Sequence, residues 1–100
     1  MLSMLRDLMG PEKALLVGVA QGLFPLESIY ELERFIRMNH LTGSLRVLNH
    51  GSIEFALEGT KAQLGHFLND LPRQHAMAGK ILNVSWRHYA GQYRDFHTTL

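Results

Sequence analysis

The chain reads as one α+β domain in which a sheet carries two helices on one face, with strands and helices in the order βαββαβ. Three observations predict it. A short continuous apolar run opens the ordered part. Two stretches of helical periodicity follow, and between them two alternating runs meet at an Asn and a Gly.

The first strand is Ala14-Leu15-Leu16-Val17-Gly18-Val19-Ala20, apolar enough to be central and covered. Gln21 to Pro25 turns the chain. From Leu26 to about Asn39 the residues Ile29, Leu32, Phe35 and Ile36 recur at helical spacing, while Glu31, Glu33, Arg34 and Arg37 point elsewhere. Strand two spans Leu41 to Leu48 and strand three spans Ser52 to Glu58. Asn49-His50-Gly51 joins them, because Asn and Gly tolerate the positive φ of a tight turn. In strand three the alternation puts Ile53, Phe55 and Leu57 inward and Ser52, Glu54 and Glu58 toward water.

Gly59-Thr60 opens the second helix, striped by Leu64, Phe67, Leu68 and Leu71 and expected to close at Pro72. Ile81, Leu82, Val84 and Trp86 make a fourth strand, and Gln92 to Thr98 a short terminal one. The order is ferredoxin-like: an antiparallel sheet with both helices on one face. Residues 13–100 form that domain and residues 1–12 an extension. Within the extension Ser3 caps a short amphipathic helix over residues 3–9, stopped by Gly10-Pro11. Its apolar residues Met1, Leu5, Leu8 and Met9 either lie on the domain's own sheet or offer a partner surface.

One hundred residues suit a single core, and 46% hydrophobic with 19% charged residues is ordinary for a globular chain. Ten Lys and Arg against nine Asp and Glu, scattered without a run, give no electrostatic footprint for nucleic acid or anionic lipid. No cysteine is present, which excludes disulfides and thiolate chemistry. Neither a signal peptide nor a spanning segment is legible, so a cytoplasmic location is expected.

Six histidines, at positions 40, 50, 66, 75, 88 and 97, show no i, i+4 pair, and surface roles are expected rather than a metal site. Tyr89, Tyr93 and Phe96 near Arg87 and Arg94 suit either sheet packing or a stacking platform. The serines show no nucleophile elbow.

Several stretches together resemble the acylphosphatase family. They are Leu41-Thr42-Gly43, Gly51-Ser52-Ile53-Glu54, Glu58-Gly59, Phe67-Leu68, and the ending with Trp86, Gly91, Tyr93 and Phe96. The similarity runs from about Ala14 to Thr98. Acylphosphatases hydrolyse the mixed anhydride of a carboxylic and a phosphoric acid. The family holds the phosphate in a loop of backbone N–H groups with an arginine, and an asparagine positions the water. Its loop reads valine, glutamine, glycine, valine, any residue, phenylalanine, arginine.

In this chain Gln21, Gly22, Leu23 and Phe24 stand as a remnant of the anion loop, but the arginine position holds Leu26, or Pro25 if one residue is dropped, and the asparagine position Val47. Pro25 also removes an N–H. Asn49, two residues beyond Val47, is expected to serve the turn. The resemblance therefore implies a noncatalytic acylphosphatase-like domain that needs no cofactor and acts by binding a protein or by self-association. The alternative is hydrolysis at a displaced site that uses Asn49 and another cation.

A weaker resemblance is to flavin-binding BLUF domains, carried by Leu57-Glu58-Gly59 with the preceding Gly51, and by Asn39 before Leu41-Thr42-Gly43. The positions of that family's tyrosine and glutamine fall at about Leu16 and at Phe55. This implies at most a degenerate BLUF-like domain that binds no flavin.

Overall fold

The computed structural model describes residues 12–22, 24–49, 51–74 and 80–100. The expected helix over residues 3–9, with Met1, Leu5, Leu8 and Met9, lies outside the described residues, as does Leu23. Strand β1 spans Lys13–Gln21, helix α1 Leu26–Met38, β2 Thr42–Val47, β3 Ile53–Thr60, helix α2 Lys61–Gln74, β4 Lys80–His88 and β5 Phe96–Thr99.

The sheet order is β4-β1-β3-β2-β5. Four strands pair antiparallel, as the sequence predicts. The fifth corrects the expectation of a purely antiparallel sheet, because β5 runs parallel to β2. After β4 the chain crosses to the opposite edge through residues 89–95. It arrives at the end where β2 begins and then follows the same direction. A second correction concerns α2, which runs two residues past Pro72 to Gln74. Proline removes one ladder bond there, its own, and the last turn continues without it.

Alternation in β1 sends Ala14, Leu16, Gly18 and Ala20 to one face, where they are buried. Ile29, Leu32 and Ile36 of α1 and Leu64, Phe67 and Leu71 of α2 join them in one core with Leu45, Ile53, Phe55 and Leu57. At its centre Phe55 meets Phe67 edge to face, with centroids 5.1 Å apart. Gly18 is small because Phe55 lies over it: a Cβ there would fall 2.7 Å from the ring.

The ends of α1 and α2 show how local sequence sets the element bounds. Thr60 and Gln63 form a reciprocal capping box, with the Gln63 N–H on Thr60 Oγ1 at 3.1 Å and the Thr60 N–H on Gln63 Oε1 at 3.3 Å. Helix α1 ends in a Schellman motif. The Leu41 N–H reaches the Ile36 carbonyl and the His40 N–H reaches that of Arg37, both at 3.1 Å, with His40 at φ 57°.

Candidate functional site

The remnant loop lies between β1 and α1, at the same end of the sheet as the β2–β3 turn. That turn is closed by the Gly51 N–H on the Leu48 carbonyl at 2.9 Å and the Leu48 N–H on the Ser52 carbonyl at 2.8 Å. Gly51 takes φ 88°, which favours glycine. Asn49 is exposed within the turn.

The loop's amides face this turn. The Phe24 N–H donates to the Gly51 carbonyl at 3.1 Å, and the Gly22 N–H makes a longer contact of 3.4 Å with Ser52 Oγ. Ser52 is buried, not turned to water as alternation in β3 suggests, because it lies one residue before the strand and its hydroxyl faces the loop. An anion cradle needs several N–H groups converging on one vacant point. Here two of the loop's amides point at protein acceptors, and Pro25 has none to give.

The two positions to which the resemblance assigns the chemistry, Leu26 and Val47, are both hydrocarbon. Leu26 is the first residue of α1 and half exposed, and Val47 packs against the core opposite Ile53. Arg46 points to the other face of the sheet and pairs with Glu54, Nε to Oε1, at 3.8 Å. Arg46, Val47, Leu48 and Asn49 line an open groove of about 410 Å³ in which Arg46 is the one positive side chain among the described residues. One cation escapes a reading along the sequence. The β1–β4 ladder sets the backbone of Lys80 opposite Gln21, a juxtaposition visible only once the fourth strand's register is known.

Among the described residues the most buried polar side chain lies at the other end of the sheet. Glu58, expected to face water, is 1% exposed. Its carboxylate accepts the Tyr93 N–H at 2.9 Å and the Ala90 and Gln92 N–H groups at 3.3 Å, so it ties the β4–β5 crossover to the centre of the sheet. Beside it Lys13, His40, Thr42, Gln63, Tyr89 and Tyr93 line a recess of about 260 Å³, where the Lys13 ammonium sits 5.2 Å from the Tyr89 ring centroid. Among the described residues no group of three or more His, Asp or Glu is placed to hold a metal ion, and no helix is long and apolar enough to cross a membrane.

This architecture matches solved structures over most of the chain. An acylphosphatase from Bacillus subtilis superposes with TM-score 0.69 at 14% identity, covering 87% of this chain and 98% of that one. An acylphosphatase from Coxiella burnetii gives TM-score 0.66 at 20% identity, covering 87% and 93%. The chain has the acylphosphatase-like fold. A bacterial light-regulated adenylyl cyclase also contains a region similar to this acylphosphatase-like domain, with TM-score 0.67 and 17% identity over 87% of this chain and 27% of that one. No family model matches the sequence, and no curated protein does. Leu16 and Phe55, near which the BLUF resemblance places that family's tyrosine and glutamine, are buried hydrocarbon.

Proposed function

We propose that this acylphosphatase-like domain is noncatalytic and works by binding a protein partner or a second copy of itself. The observation that carries the reading is the engagement of the loop amides by the β2–β3 turn, at Phe24 with Gly51 and at Gly22 with Ser52. Leu26 and Val47 support it, since neither side chain can grip a phosphate or orient a water. Losing one preorganised donor typically costs about 10² to 10³ in rate, and this loop lacks the arginine as well. No flavin role is proposed, because Leu16 and Phe55 offer no hydrogen-bond relay.

Benzoyl phosphate turnover tests the reading: release of phosphate at the rate of the uncatalysed reaction is expected, and saturable turnover would overturn it. The position of Lys80 opposite Gln21 favours one second reading, hydrolysis with a displaced cation and Asn49. Turnover that disappears in both Lys80→Ala and Asn49→Ala would establish that reading instead.

A further inference from the structure

Four of the ten Lys and Arg residues, far apart in the sequence, lie at one end of the fold, the end opposite the remnant loop. Lys13 begins β1, Lys61 begins α2, Arg87 and His88 end β4, and Arg94 lies in the crossover. A recess of about 230 Å³ there is lined by Glu12, Lys13, Lys61, Trp86, Arg87 and His88. Its one acid among the described residues, Glu12, is already paired with Lys61 at 3.2 Å. Arg87 and Arg94 make no ion pair among the described residues.

The same recess borders the edge of the sheet. Strand β4 is outermost, and nothing among the described residues pairs with its outer side. A bulge at Asn83, φ 48°, interrupts its first half, but Ser85–His88 keep regular register with Ala14–Val17. Val84 and Trp86 alternate along this run and remain 37% and 46% exposed, followed by Tyr89 at 43%. An open main-chain edge flanked by alternate apolar side chains is the geometry that accepts an extended peptide as an added strand. Trp86 and Arg87 line the same recess, and Trp and Arg are residue types that dominate binding energy at protein interfaces.

We infer that the 84–88 edge of β4, with Lys13, Lys61 and Arg87 around it, docks an extended acidic segment of another protein in which carboxylates alternate with apolar side chains. The inference rests on the noncatalytic reading and names the partner surface for it. Charge decides the occupant. The strand sequence from Lys80 to His88 contains no acidic residue. A second copy paired antiparallel about Val84 would therefore set Lys80 opposite His88 with Arg87 alongside, which repels. A single-stranded nucleic acid would match the cations but leave the strand edge unpaired.

The test uses the full chain and a synthetic peptide in which four glutamates alternate with three valines. Trp86 is the only tryptophan, so its emission reports the site directly. On binding, that emission should move to shorter wavelength, and the amide signals of residues 84–88 should shift and gain exchange protection. Affinity should fall as salt rises, and about tenfold in Arg87→Glu, whose amide spectrum outside β4 stays that of the native fold.

Four outcomes would overturn the inference: no change at millimolar peptide, equal binding by Arg87→Glu, equal binding of a peptide with lysines replacing the glutamates, or tighter binding of a ten-nucleotide thymidine strand. None of them bears on benzoyl phosphate turnover, so a failure here is separable from a failure of the noncatalytic reading.

Discussion

Phe24 is tied to Gly51 by a hydrogen bond of 3.1 Å from its N–H to the glycine carbonyl, and this bond joins the loop after β1 to the turn between β2 and β3. In a phosphate-binding loop such amides converge on the anion. In this chain the neighbouring turn occupies the acceptor position. The proposed loss of a site therefore rests on two backbone donors, Gly22 and Phe24, as well as on side chains.

The first prediction follows from that point. The double variant Leu26→Arg and Val47→Asn supplies both side chains that the acylphosphatase resemblance calls for, yet it should not hydrolyse benzoyl phosphate above background. Amides already bonded to Gly51 and Ser52 have no reason to turn outward. Steady-state phosphate release measures this, and recovered turnover would show that the two side chains were all the loop lacked.

A second prediction concerns the buried carboxylate of Glu58. Glu58→Ala leaves three backbone N–H groups without an acceptor and should lower unfolding free energy by roughly 3 kcal/mol in urea titration. Exchange protection at Ala90, Gln92 and Tyr93 should fall first, because those amides lose their partner directly. Glu58→Gln keeps one acceptor oxygen and should cost less. Equal costs for the two variants would mean that the hydrogen bonds contribute little.

The third prediction is that Gly43→Ala is severely destabilising, by more than about 2 kcal/mol. Gly43 holds φ 134°, and a Cβ there would fall 1.9 Å from the Ala56 carbonyl oxygen, an atom of the neighbouring strand's backbone that cannot step aside. Thermal unfolding of the purified variant checks it. A near-native midpoint would show that β2 can shift away from β3.

These residues also show what was legible in the sequence. Helical spacing of Ile29, Leu32 and Ile36 and the alternation of Ile53, Phe55 and Leu57 were enough to assign core faces, because both patterns are local. Glu58 and Ser52 broke the same rule. Each has a distant partner, 35 residues away at Tyr93 and 30 away at Gly22, and no local period encodes a contact of that span. The parallel direction of β5 was hidden for a related reason: it depends on the path of the crossover, which Glu58 anchors. At the candidate site, the hydrocarbon at Leu26 and Val47 could be read from residue order. The engaged amides and the register of Lys80 against Gln21 could not, since both depend on which strands lie side by side.

The central claim is that the loop after β1 has no vacancy for an anion, and an amide-resolved titration with inorganic phosphate and with sulfate measures it most directly. The account predicts that signals of residues 20–26 stay in place, apart from the small, unsaturable drift that ionic strength imposes on every exposed amide. Saturable shifts confined to Gly22, Leu23 and Phe24, with both anions competing for one site, would contradict it.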